Sequence, residues 1–103
     1  MNQICLIYCT FPDNDTLEDI CKILLQQKLI ACYNYFDIHA GYFWQGTLHS
    51  ESECAGILKT KTTHLELAIQ QLEALHPYDT PCIMHWEVTA NEKYFRWIGD
   101  CLV

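Results

Sequence analysis

Seven cysteines and five histidines stand among 103 residues, and their spacing decides which chemistry is open to them. The cysteines are Cys5, Cys9, Cys21, Cys32, Cys54, Cys82 and Cys101. An odd number with no close pairing makes a poor disulfide framework. No C-x-x-C occurs, which removes a thioredoxin-type redox centre and a zinc ribbon alike. In a reducing cytoplasm free cysteine packs as a small core hydrophobe, the expected role for most of these seven. The histidines are His39, His49, His64, His76 and His85. None forms an i, i+4 helical pair or an evident i, i+2 strand pair, so each is expected as a polar surface group or a single satisfied core group.

Charge narrows the field further. Six basic residues against thirteen acidic ones give a net charge of -7, and Arg96 is the sole arginine. A nucleic-acid binder must neutralise phosphates with Lys and Arg, so that class is excluded. Acidity slightly favours cationic partners, although plain solubility is its commoner cause. Half of the residues are hydrophobic, which excludes intrinsic disorder for the bulk of the chain. Met1-Asn2-Gln3 lacks the basic region of a signal peptide, and the apolar run Ile4 to Phe11 is too short to span a bilayer. The expectation is a cytoplasmic protein with one domain over residues 1–103, without membrane or nucleic-acid partners.

The elements that must position these residues are legible in the apolar periodicity. From Ile4 to Cys9 both alternating faces are apolar, the mark of an interior strand covered on both sides. Phe11-Pro12-Asp13 ends it. Leu17, Ile20, Cys21, Leu24 and Leu25 then recur at helical spacing, with Asp15 or Thr16 the expected N-cap. Ala31 to Trp44 reads as a long aromatic strand, bent or bulged near Ala40-Gly41. Gln45-Gly46-Thr47 makes a hairpin turn, and Leu48 to Lys61 returns as a second long strand. A helix with Leu65, Ala68, Ile69, Leu72 and Leu75 on one stripe stops at His76-Pro77. Pro81 to Thr89 is a fourth strand, and Asn91 caps a last helix that holds Tyr94, Phe95, Trp97 and Ile98.

The order β-α-β-β-α-β plus a C-terminal helix predicts an α+β, ferredoxin-like sandwich with a long β2-β3 hairpin. Two helices cover one face of its sheet. Tyr33, Tyr35, Phe43, Trp44 and Trp86 supply more aromatic surface than that face absorbs, and the overlong strands present unpaired edges. Subunits joined edge to edge and face to face remove both liabilities. Two uses of this topology fail on the residues. The third strand, from Ser50 to Ile57, has two carboxylates and no aromatic, which rules out an RNA-recognition surface. A phosphate cradle fails too, because Arg96 lies in the last helix and the first loop is acidic.

Six segments in order carry a resemblance: Cys9-Thr10-Phe11-Pro12-Asp13, Lys28 to Cys32, Tyr42 to Gly46, Glu53 with Ile57 to Thr60, His76 to Pro81, and Tyr94 to Ile98. Together they resemble the CutA family, the divalent-cation tolerance proteins, over essentially the whole chain. The resemblance implies a tight homotrimer built by strand pairing between subunits. It also implies a cytoplasmic role in tolerance of copper and other divalent metals, with no established enzymatic activity.

Within the family pattern, Cys9 and His76 match suggested metal ligands. Leu75 stands in place of a further histidine, and Cys82 in place of the usual glutamate. The implied set is Cys9, His76 and Cys82. Thiolates with imidazole favour copper(I) or zinc over magnesium or calcium. The alternative is structural: a buried Cys9, a core Cys82, and His76 as a helix terminator bonded to a carbonyl. Other departures are the missing proline after Asn34, Glu87 for a proline, and Ala90 where glycine is frequent. By fold analogy alone, the trimer could instead resemble PII signalling proteins, a ligand-binding or scaffold assembly. Lys59 and Tyr78 with Glu53 or Asp79 would then hold a small anion at a subunit cleft.

Overall fold

The first strand runs through the middle of a four-stranded sheet, and the rest of the fold is arranged on its two faces. A computed structural model describes every residue from Met1 to Val103. Its elements are β1 (Gln3–Phe11), α1 (Asn14–Gln26), β2 (Cys32–Trp44), β3 (Thr47–Thr60), α2 (Thr62–Leu75), β4 (Ile83–Thr89) and α3 (Glu92–Cys101). All strand pairs are antiparallel in the order β2-β3-β1-β4, the ferredoxin-like arrangement expected.

Period-two alternation sorts β1. Ile7, Cys9 and Phe11 point into the main core with Leu17, Ile20, Cys21 and Leu24 of α1 and Ala68 and Leu72 of α2. Ile4 points to the opposite face and joins Ala31, Ile98 and Leu102 in a smaller cluster, against which Leu6, Val88 and Phe95 pack. The apolar character of both β1 faces is thus explained: α3 closes one end of the second face. The rest of that face stays uncovered, with Phe36, Met84 and Trp86 exposed.

Two local expectations are corrected. The N-cap of α1 is Asp13, whose Oδ1 accepts from the Thr16 amide at 2.8 Å, so neither Asp15 nor Thr16 caps it. Asp13 sits directly after the rigid Pro12, where the chain is still extended and its short carboxylate can reach back to the third amide. Nor is β2 bulged at Ala40-Gly41. It pairs with β3 without a skipped residue from Cys32↔Lys59 to Trp44↔Thr47. Gly41 meets only the His49 carbonyl at 4.0 Å where a side chain would stand, so the glycine fits a regular strand. Asn91 does occupy the N-cap position of α3, but its side chain makes no capping bond.

The hairpin turn forms as expected. Gln45 and Gly46 both have positive φ, 51° and 80°, the two-residue geometry whose twist suits paired strands. Beyond Phe11↔Cys54 the β1 pairing ends, and β2 and β3 continue alone as a two-stranded arm from Ile38 and Glu53 to the turn. The molecule is accordingly elongated, 46 × 23 × 21 Å. Tyr42, Phe43, Trp44 and Leu48 are all exposed on this arm.

Candidate functional site

Where α2 stops, Pro77 bars further helix and the chain turns back across the end of β1. His76 is placed by that stop. It is buried, and its ring stacks on Phe11 at 5.1 Å and lies against Tyr78 at 4.8 Å. Its Nδ1 accepts from the Tyr78 amide at 3.1 Å, which assigns the proton to Nε2. Nε2 donates to the Thr10 carbonyl at 2.7 Å. Both ring nitrogens are therefore used, and the imidazole ties α2 to β1 in its neutral form. Burial draws its pKa below the ordinary value, against the Thr10 carbonyl and the Glu53 carboxylate, which pull the other way.

The other two implied ligands lie apart from it in environment. Cys9 is fully buried on the helix side of β1, opposite Gly56, and its Sγ makes only a long contact of 3.8 Å with the Thr10 carbonyl. Burial pushes its thiol far above the usual range, with Cys21, Cys82 and Cys54 adding to the effect. Cys82 is half-buried and lines a cleft with Thr10 and Tyr78. No three His, Cys, Asp or Glu side chains are gathered as a metal would require. No buried side-chain nitrogen or oxygen is left without a partner either. Within the chain, then, Cys9, His76 and Cys82 do not fit a resident metal, and the carbonyl bond expected of a structural His76 is present.

The cleft itself measures about 610 Å³ and runs between the arm and the Pro77–Cys82 loop. Thr10, Tyr42, Trp44, Glu53, Tyr78 and Asp79 are among its walls. Tyr78 donates its hydroxyl to Glu53 Oε2, and Tyr42 donates to Glu51. Burial, then the Glu53 hydrogen bond, raise the Tyr78 phenol far above the usual range, and the charges of Glu53 and Glu51 add to this. The bond to Glu51 pushes Tyr42 up to about 12. A second, more open depression of about 670 Å³ lies at the α1 N-terminus, lined by Asp13, Asp15, Asp37 and Glu53.

Sequence reasoning named Tyr78 and Glu53 but grouped them with Lys59. The structure separates these. Lys59 Nζ donates to Tyr94 at 3.2 Å and lies over that ring at 5.4 Å, held by α3 at the far end of the sheet. The Tyr42–Glu51 pair was missed, although the turn makes it legible. With Trp44 opposite Thr47, Tyr42 faces His49, and Glu51 lies two residues along on the same face.

Topology defines a class: a ferredoxin-like α+β chain with an overlong β2-β3 hairpin. Comparison with known proteins resolves it. The profile for "CutA1 divalent ion tolerance protein" matches residues 5–101. The divalent-cation tolerance protein CutA of Pyrococcus horikoshii is 38% identical over 94 residues, covering 90% of this chain and 92% of that one. Its counterpart in Thermotoga maritima is 35% identical, over 95% and 98%. Among solved structures, the divalent ion tolerance protein CutA1 of Ehrlichia chaffeensis superposes with a TM-score of 0.94 at 42% identity, covering 100% of this chain and 98% of that one. A protein described as the periplasmic divalent cation tolerance protein CutA of Archaeoglobus fulgidus gives 0.92 at 32%, over 97% and 99%. The chain belongs to the CutA1 family of divalent ion tolerance proteins.

Proposed function

We propose that this chain acts as a cytoplasmic homotrimer that helps the cell tolerate divalent metal, copper foremost, with zinc or another divalent cation as alternatives. The observation that carries the assembly is the two-stranded arm. An isolated hairpin is marginal in water, and this one leaves Phe43 73% and Leu48 65% exposed. Pairing of the β2 and β4 edges between subunits, with the arms laid over neighbouring sheets, covers both edges and aromatics. Seven unpaired cysteines fit a reducing compartment.

For metal, the donors remain Cys9, His76 and Cys82, in unequal roles. His76 would have to surrender a hydrogen bond and Cys9 its burial, so Cys82 beside Glu53 and Asp79 is the point of first contact. Copper is then a passing ligand, held weakly and completed by donors of a neighbouring subunit. Light scattering should give three times the 12.0 kDa subunit mass; a monomer at low concentration overturns the assembly. Copper(I) titration of the reduced protein should show Cys82→Ser weakening binding about tenfold or more. Unchanged affinity in Cys82→Ser, Cys9→Ser and His76→Ala together overturns the donor set.

A PII-like ligand-binding trimer is the alternative, favoured by the size of the cleft. Its walls contain no Lys, Arg or His, so phosphate-bearing ligands do not suit it.

A further inference from the structure

Helix α3 is fastened to the fold more lightly than α1 and α2. The sheet separates it from the main core, and its anchor is the four-residue cluster of Ile4, Ala31, Ile98 and Leu102. No backbone hydrogen bond joins α3 to another element. Among its side chains only the Tyr94 hydroxyl bonds outside the helix, accepting from Lys59 at 3.2 Å. Arg96 pairs with Glu92 one turn away in α3 itself, and the N-cap Asn91 makes no capping bond. Gly99 loosens the helix further, because glycine inside a helix is less stable than alanine. No packing demands it: a Cβ there would meet nothing closer than the flexible Lys61 Nζ at 3.8 Å. Helices shorter than about 12 residues are marginal alone in water, so the ten residues of α3 stay helical by docking.

We propose that α3 is a lid that opens as a unit by local unfolding, while the sheet, α1 and α2 stay folded, and so gates access to Lys59 and the apolar end of the open sheet face. Ile4 lies in the cluster that α3 covers, and Leu6 and Val88 pack against it. Leu6 stands opposite both Lys59 and Trp86 in the sheet. Opening therefore joins Ile4, Leu6 and Val88 to the exposed Met84 and Trp86, giving one apolar strip that carries the Lys59 ammonium. The two ion pairs of the chain are Lys22–Glu18 and Arg96–Glu92, so Lys59 has no carboxylate partner. With the lid open, its charge is left to whatever anionic group reaches that face.

Hydrogen exchange of the full, reduced chain, read by mass spectrometry where reclosing outruns exchange, follows the lid. Relative to their intrinsic rates, amides of α3 should exchange about a hundredfold or more faster than those of β1. Ile20→Val loosens the main core, which is folded whether the lid is open or shut. It should speed β1 exchange about fivefold and leave α3 unchanged. Gly99→Ala should slow α3 exchange about fivefold. The same variant should slow acetylation of Lys59 by N-hydroxysuccinimidyl acetate about fivefold, with the 60% exposed Lys22 side chain as the unaffected control. Exchange of α3 at the β1 rate, which is the result if a second copy of the chain clamps the helix, overturns the proposal. An equal response of α3 and β1 to Ile20→Val, or unchanged Lys59 acetylation in Gly99→Ala, does so as well.

Discussion

Replacing His76 by alanine tests whether this residue is a structural clasp rather than a ligand in waiting. The substitution strands the Thr10 carbonyl and the Tyr78 amide, each bonded to the ring in the native chain. Both are only partly buried, so about 1 kcal/mol apiece is a fair cost. Loss of the buried ring, stacked on Phe11 and set against Tyr78, adds about 1–2 kcal/mol. The total, about 3–4 kcal/mol, should move the guanidinium midpoint down by roughly 1 M for a domain of this size. Unfolding followed by tryptophan fluorescence, in EDTA and at matched protein concentration, reads it. The pH profile supplies a second readout. Because the folded pKa of His76 is lowered, the unfolded chain takes up the proton first as pH falls. Its contribution is complete above about 6.5 and is lost as pH drops through the lower folded value, at no more than about 1.4 kcal/mol per pH unit. That slope should vanish in His76→Ala. A loss below about 1 kcal/mol in EDTA, or a loss seen only when metal is present, would refute the reasoning.

Other consequences are as direct. Alkylation mapped by mass spectrometry should label Cys32, Cys82 and Cys101 under native conditions well before Cys5, Cys9, Cys21 and Cys54, which are buried; labelling of Cys9 or Cys21 as fast as Cys82 contradicts the packing. Lys28 has a φ of 59° at the end of α1, where the Leu29 and Lys28 amides bond back to Leu24 and Leu25. Lys28→Gly should therefore stabilise by about 1 kcal/mol, and a lower melting temperature would count against it. Gly56→Val should destabilise by about 1–3 kcal/mol, because even a Cβ there lies 3.1 Å from Leu58 Cδ1 and 3.2 Å from Leu17 Cδ1. Denaturation midpoints equal to wild type would show that α1 can retreat.

Legibility followed sequence distance. Helix α1 was plain because its buried positions, Leu17, Ile20, Cys21 and Leu24, repeat within two turns. The turn at Gln45-Gly46 was plain because its φ values are written into a local pair of residues. The cap moved because Asp13, Asp15 and Thr16 are all competent, and which one is extended depends on how β1 ends. A bulge was expected from Gly41 because glycine breaks strands on average, yet an unbroken ladder tolerates it on an exposed arm. Hardest to foresee were the partners of the site residues. Tyr78 meets Glu53 across 25 positions, and His76 meets Thr10 across 66. Only the register of β1 against β3 and the path of the loop after α2 bring them together. The family motifs single out Cys9 and His76, but pattern does not report that an imidazole has spent both nitrogens.

The unbroken ladder of the arm has a geometric corollary. Every residue added to one strand must be matched on the other, and side chains alternate faces at each step. One added pair would turn every group nearer the tip, Tyr42 and Trp44 included, to the opposite side. Only two added pairs restore them. The arm can thus lengthen or shorten only in increments of four residues, each worth about 7 Å of reach. It is a ruler with coarse graduations, and relatives that reach farther should differ from this chain between Ile38 and Glu53 by multiples of four.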